Sequence, residues 1–216
     1  WASEGGGCTF GHAVHHIDLL AWMAGMPTQV TAVLGNVAHT NSEEEDLSMA
    51  MLRFANGSFA QLSANLVCHG QKQSLTFACE KATLEIPHAF SADTPLENGF
   101  PRENTALLAE LNAAYEAIPA LQYEGHAGLA DNLLRAIDEG APLLIDGQQG
   151  RNTLELIMAI YQSAAEQRTV TLPIGPDSPF YTRAGVAEKM PHFYKKTGFL
   201  SKFEHDTIVL ASANMK

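Results

Sequence analysis

Apolar residues recur at three- and four-residue steps over 11–24, where Val14, Ile17, Ala21 and Ala24 fall on one stripe, and this spacing predicts a helix. Gly25 follows the last periodic residue and Pro27 comes two later, a stop signal. The pattern then changes to strands, over 28–38, 46–54 and 58–68, with Ala55-Asn56-Gly57 as a tight hairpin turn between the last two. Two shorter strands, 73–79 and 82–86, flank Glu80-Lys81, and 88–100 reads as a loop punctuated by Pro and Gly. Helices are predicted over 102–117, 126–139 and 153–167, the second with Leu129, Leu133, Leu134 and Ile137 on one face. A short strand at 170–174 follows. The segment 178–216 is irregular and aromatic, with Phe180, Tyr181, Phe193, Tyr194, Phe199 and Phe203.

Short strands joined by short turns make antiparallel pairs, and helices gathered beside them make the fold α+β. The expected architecture is an open, mainly antiparallel β-sheet with helices on one face. One domain is expected over 1–174, with a tail over 175–216 that packs on it. In 58–68 one strand face carries Ala60, Leu62, Ala64 and Leu66, suited to burial under the helices. The other carries Phe59, Gln61, Ser63, Asn65 and Val67, with Val33, Gly35 and Val37 alongside, and no charge. Charge depletion marks interface cores, so a homodimer or homotetramer through this face is expected.

Composition narrows the function classes. The 216 residues are 46% apolar and 17% charged, enough for a sizeable core, and the net charge of −11 argues against nucleic acid and anionic membrane as partners. No apolar run reaches the roughly 20 residues of a bilayer span. The chain begins at Trp1 without a basic segment before an apolar run, so no secretory signal is expected and the start reads as a cut within a longer chain. Cys8, Cys68 and Cys79 are odd in number and lack CxxC spacing; they read as reduced, half-buried thiols of a cytoplasmic protein, and no metal site is expected of them.

The densest chemistry is Gly11-His12-Ala13-Val14-His15-His16-Ile17-Asp18. On one continuous helix His12, His15 and Asp18 project to one side at three-residue steps. A helix start offers free N–H groups, and an imidazole titrates near neutrality beside a carboxylate that orients it. The same residues also suit a solvated, capping face. His12 and His16 have the i,i+4 spacing of a helical zinc pair, but no flanking Glu and no third ligand stand at a telling distance. Gly5, Gly7 and Gly11 mimic a dinucleotide loop without the strand before it or a βαβ unit after it, so they read as a linker.

Glu4-Gly5-Gly6-Gly7, then His15-x-x-Asp18-Leu19-Leu20-x-Trp22-x-x-Gly25-x-Pro27, resembles the start of the C-terminal domain of the Gfo/Idh/MocA oxidoreductases. Glu45-Asp46, the hairpin around Asn56-Gly57, Pro142 to Gly147 and Val170-Thr171-Leu172-Pro173 extend the likeness to about residue 174. The resemblance implies the substrate-side domain of a dehydrogenase whose NAD or NADP is bound mainly by an N-terminal domain not in this chain. It implies hydride transfer at a secondary alcohol of a sugar or polyol, with His15 as the catalytic proton-transfer group and Asp18 beside the substrate. His12, His69 and Lys72 are further substrate-binding candidates, the last two read equally as solvated strand ends. Many members carry an Asp four residues before the motif His; here Gly11 stands there. That departure favours a rival reading, a non-catalytic binding or oligomerisation module of the same fold; a further rival, a metal-dependent hydrolase, rests on the spacing of His12 and His16.

Overall fold

The computed structural model describes residues 1–70 and 72–198. In chain order the elements are α1 (Cys8–Gly11), α2 (Val14–Ala24), β1 (Gln29–Gly35), β2 (Leu47–Arg53) and β3 (Phe59–Asn65). There follow β4 (Leu75–Ala78), β5 (Thr83–Ile86), β6 (Ala89–Ser91), β7 (Asp93–Pro95) and β8 (Pro101–Glu103). Then come α3 (Thr105–Glu116), α4 (Gly125–Glu139), α5 (Gly147–Glu166), β9 (Val170–Thr171) and α6 (Arg183–Lys189). The chain forms two compact units, one from 1–70 and 145–198, the other from 72–144.

The first unit is α+β. Its sheet runs β3-β2-β1-β9 and every pair is antiparallel. The β2–β3 hairpin closes at Asn56-Gly57, where Gly57 takes a positive φ of 87° that a side chain would strain. Register places Val33 opposite Met49 and Met49 opposite Ser63. Val30, Ala32, Ser48, Ala50, Leu52, Leu62 and Ala64 alternate onto the inner face and are buried. α5 lies against β1 and α2 against α5, with Leu156, Ile157, Ile160, Ile17 and Leu20 filling the space between. The outer face is left open.

β9 is only two residues long, so β1 runs past its partner. Three hydroxyls take over there. The buried Ser163 Oγ on α5 accepts from the Ala32 N–H at 2.9 Å and donates to the Arg168 carbonyl at 2.6 Å. The Thr31 and Thr169 hydroxyls pair at 2.8 Å.

In the second unit β4-β5-β6 form one antiparallel sheet and β7-β8 a two-stranded ribbon. α3 packs on β6, and His88 stacks on Tyr115 of α3 with ring centroids 3.6 Å apart. Asn132 of α4 fixes the following segment, donating to the Pro142 carbonyl and accepting from the Leu144 N–H. Leu129, Leu133, Leu134 and Ile137 of α4 are all exposed.

Several expectations change. The first helix is interrupted at His12, because the His12 and Ala13 N–H groups both return to the Cys8 carbonyl. The restart at Val14 shifts the phase, so the buried stripe is Ile17 and Leu20, while Ala21 is half-buried and Ala24 exposed. Leu66 is exposed because it lies past the end of β3. The loop 88–100 contains β6 and β7, and β8 delays α3 until Thr105, where Asn104 caps it. α5 starts at Gly147, six residues ahead of the predicted 153, because Asp146 and Gln149 form a capping box. The tail is not irregular throughout: Ser178 and Thr182 cap a 3-10 turn at Pro179–Tyr181 and helix α6, which bury Phe180 and Val186. Phe199 and Phe203 lie outside the described residues. The cysteines are not alike: Cys8 is buried, Cys68 and Cys79 exposed. Among the described residues no helix is long and apolar enough to cross a membrane.

Ser163→Ala removes the acceptor of the buried Ala32 N–H, and an orphaned buried donor costs about 1–3 kcal/mol. Urea denaturation should show a loss of that size with an unchanged m-value.

Candidate functional site

The glycine segment at the start of the chain is held by one buried carboxylate. Glu45, 2% exposed, accepts from the Gly7 N–H at 2.9 Å through Oε2 and from the Thr9 N–H at 3.0 Å through Oε1. The Tyr161 hydroxyl on α5 donates to the same Oε1 at 3.0 Å, and the Cys8 N–H reaches the Glu45 carbonyl. Burial, and after it the Glu45 charge, pushes the Tyr161 phenol far up, so the hydroxyl keeps its proton and donates. The same two causes push the Cys8 thiol to about 12, making it an inert group that donates to the Ala64 carbonyl at 3.3 Å. Glycine is required here by contact. A Cβ on Gly6 would overlap the Tyr161 hydroxyl, and one on Gly7 the Glu45 carbonyl oxygen. Of the glycines read as a linker, Gly7 is packed rather than free, whereas Gly5 takes a positive φ of 86° and Gly11 borders open space.

Asp46, the next residue, is 2% exposed and sits in a cradle of donors. The Val37, Ala38 and His39 N–H groups reach it at 2.9–3.1 Å, and the His39 ring donates from Nδ1 at 2.9 Å. Burial alone would raise its pKa, but these bonds, the His39 ring first among them, outweigh burial and hold it below the usual carboxylate range. Asn36 organises the same loop. Its Nδ2 donates to the His39, Ser42 and Glu44 carbonyls, and its Oδ1 accepts from the His39 N–H. Glu45 and Asp46 were legible in sequence only as part of the hairpin likeness, and Asn36 and His39 drew no attention at all.

Of the predicted site residues, His15 and Asp18 share α2, one turn apart, with His15 exposed and Asp18 half-buried. The Thr153 hydroxyl of α5 donates to Asp18 Oδ1 at 2.5 Å, fixing the carboxylate. His16 is half-buried, and burial followed by the nearby His15 lowers its pKa. His12 is exposed and sits in the break between α1 and α2, so it shares no helix with His15 or His16. Instead it lines a cleft with Gly11, His39, Glu44, Glu45 and Asp46. His69 is exposed in the bend after β3, in the first unit, and Lys72 is exposed in the second.

The glycine segment does not suit a dinucleotide phosphate. A phosphate at a helix start needs free N–H groups, and those of Gly7 and Thr9 are taken by a carboxylate that repels it. Among the described residues all paired strands are antiparallel, so no βαβ unit is present. Nor do three His, Cys, Asp or Glu side chains group as a metal set among the described residues.

Residues 1–85 match the family model of the GFO/IDH/MocA C-terminal domain. No curated protein matches the sequence. Among solved structures, the WlbA dehydrogenase from Bordetella pertussis, in complex with NADH and UDP-GlcNAcA, has a TM-score of 0.59 at 23% identity, over 79% of this chain and 46% of its own. A putative myo-inositol dehydrogenase from Sinorhizobium meliloti has 0.55 at 20% identity, over 80% and 51%. An aldose-aldose oxidoreductase from Caulobacter crescentus, complexed with glycerol, has 0.55 at 22%, over 77% and 48%. These likenesses are of fold, and the chain spans about half the length of the structures it matches.

Asp46 carries a pH dependence. Its native pKa lies below its unfolded value of about 3.9, so its stabilisation is complete above that value and is lost as pH falls through the native pKa. Asp46→Asn should cost about 1.5–3 kcal/mol at neutral pH, the range for hydrogen bonds to a charged group. The gap from the parent should close on acidification below about pH 4, measured by denaturant melts across pH.

Proposed function

From the match of residues 1–85 to the GFO/IDH/MocA C-terminal domain, we propose that this chain is the substrate-side part of an oxidoreductase that moves a hydride between NAD or NADP and a secondary alcohol of a sugar- or polyol-like molecule. The observation that carries this reading is the pair on α2: an exposed His15 and, one turn on, an Asp18 whose carboxylate is fixed by Thr153. The nicotinamide, bound mainly by residues outside this chain, supplies the hydride chemistry. This chain's part is placement and proton movement. His15 takes the hydroxyl proton as the alcohol carbon is oxidised and returns it in the reverse direction. Asp18 has Oδ1 engaged by Thr153 and presents its other oxygen to a substrate hydroxyl. His12, His69 and Lys72 are secondary contacts to the substrate. The free, exposed thiols of Cys68 and Cys79 suit a reducing cytoplasm.

The reading extends to assembly. On the outer sheet face Val33 is 65% exposed, Met51 52% and Phe59 62%, beside the uncharged Gln61 and Ser63. The face is not free of charge: Arg53 lies at its edge with its guanidinium over the Phe59 ring. Apolar area of this kind on one sheet face suits a two-fold contact with a second copy, giving a homodimer or, by repetition, a homotetramer.

In the intact protein His15→Ala should lower turnover about 10²–10⁴-fold, the loss expected for a general acid–base, with nicotinamide affinity unchanged by fluorescence titration. Full turnover in that variant on the true substrate would sink the assignment. Light scattering coupled to gel filtration should give a mass of at least two chains at micromolar concentration. Gln61→Lys with Ser63→Glu should reduce it to one; a monomeric parent, or an unaffected double variant, would remove the sheet-face contact.

A further inference from the structure

The loop between β1 and β2 holds one imidazole with unusual firmness. The His39 backbone is pinned from both sides, its N–H by Asn36 Oδ1 at 3.0 Å and Asp46 Oδ2 at 3.1 Å, its carbonyl by Asn36 Nδ2 at 3.1 Å. The ring is pinned too, through Nδ1 to Asp46 Oδ2 at 2.9 Å. Both partners are buried, Asn36 at 8% and Asp46 at 2%, whereas the His39 side chain is 49% exposed. Asp46 has three backbone donors without the ring. The fixed orientation therefore serves the ring more than the carboxylate.

Asp46 can only accept, so Nδ1 carries the proton of the neutral ring and Nε2 is left with a bare lone pair. His39 lines the cleft that His12 and Gly11 also line. Glu4 and Glu44 stand on the same cleft, Glu4 paired with Lys196 and Glu44 with the Trp1 amino group, with the buried Glu45 and Asp46 behind it. Carboxylates still outnumber the cations there and disfavour an anion, and the bare Nε2 lone pair calls for a donor opposite it.

We propose that this cleft is a subsite for a neutral or amine-bearing polyol, in which His39 Nε2 accepts a hydrogen bond from a ligand hydroxyl and Asp46 acts as the residue that positions the ring. The site stands on the geometry of one unit; the reading of the protein as a polyol oxidoreductase contributes only the ligand class. The proposal also gives Gly11 a consequence. A Cβ there would meet nothing within 4 Å, so a side chain at this position would stand in open space on the cleft's lining.

The test is nuclear magnetic resonance of the 216-residue chain with nitrogen-labelled histidine, titrated separately with myo-inositol, glucosamine and glucuronate at millimolar concentration. Long-range proton–nitrogen spectra should show the Nδ1–H tautomer of neutral His39. Its Nε2 signal, and the ring signals of His12, should move with inositol and glucosamine and not with glucuronate. His39→Asn keeps an amide donor close to the Nδ1 position, so the loop retains its bond to Asp46, but removes Nε2. It should weaken inositol binding about tenfold or more while leaving the denaturation midpoint near that of the parent. No response at His39, a response strongest for glucuronate, or unchanged binding in His39→Asn would each overturn the proposal. The wider reading fails separately. Polyol binding at His39 in a protein whose His15→Ala form keeps full turnover leaves this subsite standing. Turnover that depends on His15 without any polyol response at His39 does the reverse.

Discussion

A carboxylate taken out of water has to find its hydrogen bonds inside the protein or give up its charge. Glu45 finds three, and they come from two distant parts of the sequence: the N–H groups of Gly7 and Thr9, and the hydroxyl of Tyr161. The first helix, the start of β2 and the long α5 are thereby tied at one point. The rest of the unit can be read outward from it. Gly6 and Gly7 lack side chains because Tyr161 and the Glu45 backbone occupy that space. α1 ends after one turn, α2 restarts in a new phase, and the new phase turns Ile17 and Leu20 inward and leaves His15 outward. Asp18 then meets Thr153 on the same α5 that supplies Tyr161.

Two adjacent acids share this task without repeating it. Glu45 turns to the glycine segment and Asp46 to the loop 37–39. One side fixes where the α2 histidines begin; the other fixes His39. The backbone on both sides of the cleft is thus anchored by a single dipeptide.

The elements governed by local chemistry were legible in the sequence. Asn56-Gly57 announced its hairpin, alternation in 58–68 announced the buried Leu62 and Ala64, and the His15–Asp18 spacing survived because both lie within one uninterrupted helix. What was hidden depends on partners far along the chain. No window around Gly6 shows a tyrosine 155 positions later filling its place. The break at His12 comes from the Cys8 carbonyl taking both the His12 and the Ala13 N–H, which a periodicity count runs through unaware. His39 looked like a loop residue because the donors and acceptors that fix it, Asn36 and Asp46, declare themselves only when buried. The 3-10 turn and α6 were missed for a different reason: both are short, and their caps, Ser178 and Thr182, are common surface residues.

The two-residue strand β9 has a consequence for how the chain comes off the ribosome. β1 pairs with β2 early, but its other edge is covered only by β9 and by Ser163 of α5, and the whole second unit lies between them in sequence. Until those late residues emerge, the nascent meander carries an open edge and an uncovered inner face together, the combination that invites strand addition by neighbouring chains. Closure of the first unit is therefore a late event in synthesis, with a high sequence separation to bridge. A second unit that folds as its own body during that interval shortens the span the two ends have to search.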